Sequence, residues 1–342
     1  MSRQMDTGML SITAKALWYT GVRQAEIRNE AIARPDCGEK ALVRTRASAI
    51  SRGTERLVFN GKVPAGEWAR MKAPFQGGDF PFPVKYGYAN VGVVDAGPEP
   101  LVGVRVFCLY PHQSAFVVSS DSLVPIPDGV SDDRAVLAAN METALNALWD
   151  GNPSPGDHIC VVGGGLVGLL TAYLCCQIPG TRVTLVDVNP ARRGIADRLG
   201  AQFALPGDVP GNQDLVFHAS ATADGLATAL QVAGNDTGIV ELSWYGDASV
   251  PVQLGAEFHS RRLRLISSQV GTIRPDRQSR WTFRRRIETA MSLLNAKSLD
   301  CLITHHIDFT ELPARLSGLF DPAADVIAAV VNYSDVTDNT LG

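Results

Sequence analysis

The chain has no uninterrupted apolar run near the roughly 18–20 residues that span a bilayer, so no transmembrane helix is expected. Met1 to Gly8 are polar, lack the apolar stretch of a secretory signal, and read as a frayed tail. A basic surplus is missing too. Against 31 Lys and Arg stand 35 Asp and Glu, a formal net charge of −4. Nucleic-acid backbones demand a positive footprint, so a general polyanion binder is excluded. Cysteine is sparse: Cys37, Cys108, Cys160, Cys175, Cys176 and Cys301 are scattered, and none forms a C-x-x-C pair of metal-ligand or redox spacing. Cys160 falls in an apolar strand pattern, and Cys175 and Cys176 in an apolar helical one. They read as reduced core thiols, which sets the expected compartment as the cytoplasm. Internal repeats and low-complexity tracts are absent.

What is present has two textures. Residues 11–116 are β-rich, with short apolar runs at 41–43, 91–94 and 104–109 broken by Gly and Pro turns. Residues 60–83 are rich in Gly, Pro and aromatics, including Trp68, Phe75, Phe80 and Phe82, and read as an ordered loop covering a pocket. Past residue 130, Ser131 and Asp132 are N-cap candidates for an apolar helix over 135–149. Strands at 159–162, 183–187, 215–218, 239–243 and 263–266 then alternate with helices at 166–177, 191–199 and about 225–232. That alternation predicts an α/β protein with a doubly wound parallel sheet. A basic helix over roughly 278–294 and a β-like segment over 302–331 follow.

Ile159-Cys-Val-Val-Gly-Gly-Gly-Leu-Val-Gly168 is an apolar strand running into G-x-G-x-x-G. Gly163 permits the tight turn, Gly165 a close approach of backbone to a pyrophosphate, and Gly168 tight helix–strand packing. With Gly164, Leu166 and Val167 they form a cradle of helix N-terminal amides for phosphates. Asp187, at the end of the next strand, is placed to hold adenosine ribose hydroxyls and favours NAD, since its charge repels a 2′-phosphate. Arg192 and Arg193 leave NADP open, although solvated helix arginines are the preferred reading. Ser220, Ser243 and Trp244, after later strands of the sheet, complete the expected cofactor contacts.

Together these features resemble the medium-chain dehydrogenase/reductase superfamily over nearly the whole chain. Gly103-Val-Arg-Val-Phe107 looks like the family's G-D-R-V strand. Leu123-Val-Pro-Ile-Pro-Asp-Gly129 looks like its L-x-P-x-P-D-G segment, and Asp187-Val-Asn-Pro-Ala-Arg192 like the turn after its second Rossmann strand. The resemblance implies a GroES-like catalytic domain from residues 1–130 and 272–342 and a Rossmann domain over 131–271. It further implies an active site in the cleft between them, and a homodimer. The departures concern zinc. Where zinc-dependent members carry a ligand cysteine this chain has Ser51 and Arg52, and where they carry G-H-E it has Gly87-Tyr88-Ala89. A third ligand position reads Ala138-Ala139-Asn140, and the structural-zinc lobe is reduced to Cys108. About three N, S or O ligands are needed for a catalytic zinc, so none is expected. Ile50-Ser-Arg-Gly-Thr-Glu-Arg56 is similar to a segment of bacteriochlorophyllide a dehydrogenases. Phe80–Tyr88, Pro111-His-Gln113 and Asn140-Met-Glu-Thr-Ala144 are closer to a set of bacterial dehydrogenases labelled zinc-binding by inheritance.

Without zinc, hydride transfer still needs a group to manage the substrate's oxyanion or proton. Tyr88 can polarise a carbonyl or relay a proton, or it fills the space that metal and histidine would take. Ser51 and Thr54 can join it in a hydroxyl relay, with Glu55 behind them. Glu142, in a helix of Ala, Leu and Trp, needs a partner, and Arg52 is the expected one. His112 is a general acid/base candidate or a hydrogen-bonded structural residue. Residues 261–286 hold nine arginines and one acid, Asp276, which suggests an anionic substrate group, a solvated face or a subunit contact. The expected function is zinc-independent, NAD(P)-dependent hydride transfer to or from a hydroxyl or carbonyl of a small-molecule substrate. A quinone or enone reductase and a catalytically silent nicotinamide-binding sensor or scaffold are the alternatives.

Overall fold

A computed structural model describes residues 11–35 and 38–334. Cys37 and the stretch from Met1 to Gly8 lie outside the described residues. The chain divides into two compact units, one of residues 1–136 and 305–342 and the other of 137–304. Among the described residues no helix is long and apolar enough to cross a membrane.

In the first unit β1 (Ser11–Gly21) and β2 (Gln24–Ala33) form an antiparallel hairpin, with Ser11 opposite Ala33 and Leu17 opposite Ile27. β3 (Lys40–Ile50) is central. It pairs antiparallel with β4 (Asn90–Ala96), with the late strand Ala328–Asn332 and with β6 (Ala115–Ser119), while β5 (Arg105–Cys108) extends the sheet beyond β4. Successive side chains of a strand point to opposite faces, and both faces of β3 are covered. Ala41 and Val43 pack with Val94, Val106 and Phe116, whereas Leu42 packs with Ala14 and Ala115. Helix α1 (Arg52–Phe59) leaves β3 after one residue, Ser51, which is its N-cap position. The 60–83 loop is anchored through Phe80, which is buried against Tyr86, and Tyr86 lies edge-on to Tyr88.

The second unit is the expected doubly wound sheet. Six parallel strands, β7 (His158–Val162), β8 (Arg182–Val186), β9 (Gln202–Ala204), β10 (Gln213–His218), β11 (Ala233–Glu241) and β12 (Arg264–Ser267), run in the order β9-β8-β7-β10-β11-β12. The strand order reverses between β7 and β10, which creates the switch point where such sheets bind ligands, beyond the strands' C-terminal ends. Helices α2 (Ala138–Gly151), α3 (Leu166–Cys176), α4 (Ala223–Val232) and α5 (Phe283–Leu293) accompany it.

Four boundaries depart from the sequence reading, the first being that the second unit begins at 137, not 131. The first unit resumes at 305, not 272, because α5 belongs with α2. Buried Arg286 donates to Glu142 (2.9 Å) and Asn146 (2.7 Å) of α2. Helix α5 begins at Phe283 instead of 278, where the Thr282 hydroxyl caps it by accepting from the Arg285 amide (3.1 Å). The stretch 302–331 is not continuously β: a helix, Leu312–Leu319, separates the strands Ile303–Asp308 and Ala328–Asn332. Its buried Leu312, Leu316 and Leu319 have helical spacing. Cys108, Cys160 and Cys175 are buried free thiols; burial pushes Cys160 up to about 12, which leaves it unreactive at neutral pH.

Candidate active site

In the second unit the glycine loop has the backbone requirements that its spacing suggests. Gly163 has φ +111°, and a Cβ there would lie 2.6 Å from the Ser220 amide nitrogen. A Cβ on Gly168 would lie 1.9 Å from the Gly163 carbonyl oxygen. Gly165, the N-cap of α3, is exposed, and a Cβ added to it would meet nothing within 4 Å. A phosphate can therefore approach the first amides of α3 from that side. The residues present fit a dinucleotide.

Asp187 is fixed against this loop. Its Oδ2 accepts from the Gly164 amide (2.6 Å) and its Oδ1 from the Asn189 amide (2.8 Å). Arg192 is buried, contrary to the solvated reading, and its Cγ would lie 3.1 Å from a Cβ on Gly164. Arg193 instead lies over the Phe203 ring, 4.8 Å from its centre. Charge-assisted hydrogen bonds contribute about 1.5–3 kcal/mol each. Asp187→Ser is accordingly expected to weaken NAD binding about tenfold or more while weakening NADP binding less, as read by titration with each cofactor. Equal losses for the two would remove Asp187 from ribose recognition.

Ser220 and Ser243 do lie at the C-terminal edge of the sheet. The Ser243 hydroxyl accepts from the Ala221 amide (3.0 Å), and Trp244 is half-buried beside it. Beneath them is a pair that the sequence reading missed, His218 and Glu241, with 2.8 Å between Nδ1 and Oε2.

The first unit holds a second polar centre where α1 leaves β3. The Tyr88 hydroxyl donates to Ser51 Oγ (2.5 Å), and the Thr54 hydroxyl is near enough to act on its pKa. Burial pushes the Tyr88 phenol up to about 12, with the Ser51 and Thr54 hydroxyls opposing and the Glu55 charge adding to it. Behind the hydroxyls lies Glu55, fully buried. Its carboxylate accepts from the Ser51 amide (2.7 Å), from Tyr19 Oη (2.7 Å) and from His112 Nε2 (3.0 Å). His112 Nδ1 lies 2.7 Å from Ser48 Oγ, which in turn lies 2.9 Å from Tyr333 Oη. Gly87, at φ +120°, passes directly over the imidazole, where a Cβ would lie 2.8 Å from His112 Cδ2. Desolvation holds the Tyr19 and Tyr333 phenols well above the usual range, so they stay protonated as donors. Tyr88 and Ser51 are thus brought together with Thr54 near them, whereas His112 is buried and bonded to Glu55 and Ser48. Tyr19, Ser48 and Tyr333 were not foreseen; the available signal was a polar residue on the buried face of an apolar strand.

The expected Glu142–Arg52 pair does not form. Glu142 is paired with Arg286; burial still raises its carboxyl pKa, with the Arg286 charge and hydrogen bond only partly opposing it. The Arg52 guanidinium donates to the carbonyls of Leu319 (2.9 Å), Asp321 and Val326 (3.3 Å), closing the C-terminal end of the helix Leu312–Leu319. A helix end leaves carbonyls that an arginine can satisfy. The arginine block is engaged in a similar way: Arg261 and Arg264 donate to backbone carbonyls, while Arg262, Arg274 and Arg284 pair with acids.

The donors at the expected zinc positions do not fit a catalytic zinc. Ser51 and Tyr88 offer neutral hydroxyls, already joined at 2.5 Å. Two ligands at about 2.0–2.2 Å from a tetrahedral zinc lie farther apart than that. Among the described residues, no group of three or more His, Cys, Asp or Glu is placed to hold a metal ion.

A glycine-loop Rossmann unit joined to a β-rich unit with a buried hydroxyl–carboxylate centre defines a dinucleotide-dependent oxidoreductase. No family model matches the chain. It is 27% identical over 304 residues to D-guloside 3-dehydrogenase of Escherichia coli K12, covering 79% of this chain and 86% of that one. The fold is shared with L-idonate 5-dehydrogenase of E. coli K-12 (TM-score 0.77, 15% identity, 95% of this chain and 99% of that one). It is shared as well with a candidate zinc-binding dehydrogenase of Sinorhizobium meliloti 1021 bound to NADP (TM-score 0.75, 19% identity, 94% and 100%). The chain resembles the medium-chain dehydrogenase/reductase superfamily, shares its GroES-like and Rossmann folds, and is an NAD(P)-dependent dehydrogenase by class.

Proposed function

We propose that this enzyme oxidises a secondary hydroxyl of a polyol or glycoside with NAD, without zinc, and that Tyr88, Ser51 and Thr54 carry the proton. The observation that carries this reading is the hydroxyl pair of Tyr88 and Ser51, joined at 2.5 Å, with Thr54 beside it. Likeness to D-guloside 3-dehydrogenase over most of the chain supports the substrate class. The cofactor is held by the amides around Gly165 and by Asp187, and supplies the hydride acceptor when bound.

Each hydroxyl in such a relay gives one proton and takes one. As the substrate's O–H bond breaks, its proton moves to Tyr88 Oη while the phenol's own proton passes to Ser51 or Thr54. Thr54 is half-buried and carries the exchange toward solvent. Glu55 fixes Ser51 from behind through its backbone amide, which holds the acceptor in place. A homodimer in the cytoplasm is the corresponding reading for assembly and compartment.

The test is metal analysis of the purified enzyme beside a panel of polyols, glycosides, quinones and enones. Turnover of polyols or glycosides that survives EDTA is expected. Stoichiometric zinc whose removal abolishes activity would overturn the zinc-free reading, and turnover of only quinones or enones would overturn the substrate class.

A further inference from the structure

Strands β10 and β11 end in an imidazole–carboxylate pair. His218 is wholly buried, with Nδ1 2.8 Å from Glu241 Oε2 and Nε2 2.7 Å from Ser220 Oγ. Glu241 also accepts from the Ser243 amide (2.8 Å) and from Tyr245 Oη (3.1 Å). Its side chain remains 14% exposed, so the carboxylate is not sealed in the core. Burial alone would raise its pKa, but the bond and the electrostatic attraction from His218, with the bonds from Ser243, outweigh that and lower it, so the group is ionised at neutral pH. A proton on Nδ1 bonds the carboxylate, and Nε2 is then free to accept from the Ser220 hydroxyl. The carboxylate keeps its negative charge in that arrangement.

A dinucleotide crosses a doubly wound sheet at the switch point, one half on each side. Here that point lies between β7 and β10. Asp187, at the end of β8, marks the adenosine half. The other half is left to lie over the ends of β10 and β11, where His218 and Glu241 are. Ser220 ties the pair to the glycine loop itself, because its backbone abuts Gly163. Gly225, in the first turn of α4, is also shaped by the cluster: a Cβ there would lie 2.0 Å from Ser220 Oγ.

We propose that Glu241, oriented by His218, sets a fixed negative charge beneath the nicotinamide half of the cofactor and so favours the oxidised form over the reduced one. This rests on assigning the glycine loop to a nicotinamide dinucleotide. The two forms share every group except the ring, which is cationic when oxidised and neutral when reduced. A charge at the ring therefore separates them by Coulomb attraction alone. The effect favours loading of the oxidised cofactor and leaves binding of the reduced one nearly unchanged. His218 is a positioning residue here, and Tyr245 and Ser243 help to aim the carboxylate.

The experiment measures dissociation constants for both redox forms in the wild type, in Glu241→Gln and in Tyr245→Phe. Glu241→Gln is expected to weaken the oxidised form by about three- to tenfold and to change the reduced form by less than about twofold. Tyr245→Phe removes a bond but no charge, so the ratio of the two constants stays at its wild-type value. In the wild type, added salt must erode the preference for the oxidised form, since the charge is partly exposed; this reading stands even where Glu241→Gln does not fold. Equal shifts of both forms in Glu241→Gln, or a wild-type ratio indifferent to salt, would overturn the proposal. A wild type that binds neither form would instead overturn the cofactor assignment.

Discussion

Glu55→Ala is expected to destabilise the protein by about 3–5 kcal/mol, the scale for removing one partner of a buried charged network. Three donors converge on this carboxylate, from the Ser51 amide, Tyr19 and His112, and none has water to turn to. Each buried donor left unsatisfied costs about 1–3 kcal/mol, and the vacated volume adds a cavity. Glu55→Gln is the informative control. It keeps the volume and one acceptor oxygen but turns an NH2 group toward the remaining donors, so an intermediate loss of about 1–3 kcal/mol is expected. Urea denaturation with unchanged m-values would measure both. If Glu55→Ala lost under about 1 kcal/mol, the network would not be holding the start of α1, and the placement of Ser51 would need another cause.

What could be read from the sequence follows from how local each requirement is. The glycine loop was legible because its constraints lie within six residues: a positive φ at Gly163 and no room for a Cβ at Gly168. Asp187 followed from strand–turn spacing. The hydroxyl centre was half legible. Ser51, Thr54 and Tyr88 came from comparing two short segments with a family pattern, but their support spans the chain. Tyr19 meets Glu55 across 36 residues and Tyr333 meets Ser48 across 285, and no local periodicity encodes such pairs. Glu142 was rightly judged to need a partner, yet a buried carboxylate in a sequence does not say which arginine will reach it. Arg286 does, from a helix 144 residues away. His218 and Glu241 carried a readable signal, a polar residue ending each of two adjacent apolar strands. What was missing was that the strands are neighbours in register, His218 beside Glu241.

Tyr88→Phe should lower kcat by about 10²–10⁴, the usual contribution of a positioned general acid or base. The substitution removes one oxygen and keeps the ring, whose edge-on contact with Tyr86 survives. Cofactor dissociation constants and the unfolding midpoint should therefore hardly move. The same phenol predicts the shape of the pH profile. Its pKa is raised to about 12 by burial, above the ordinary value near 10, so the neutral form persists in the folded enzyme through the alkaline range. In the carbonyl-reducing direction Tyr88 must give up a proton, and that activity should show no loss from phenol ionisation until the pH nears 12. Stability runs the same way: the unfolded chain's phenol ionises from about pH 10, the folded one later, so its contribution is whole below pH 10 and is lost between there and about 12. If Tyr88 merely filled space, Phe would serve as well and kcat would stay within about twofold of wild type. A fall in kcat with KM for the cofactor unchanged, and with the unfolding midpoint unchanged, separates the two roles. Ser51→Ala then discriminates further: it removes the acceptor at 2.5 Å while leaving the phenol in place. Partial activity in Ser51→Ala beside near-absent activity in Tyr88→Phe would put the phenol next to the substrate and Ser51 one step behind it.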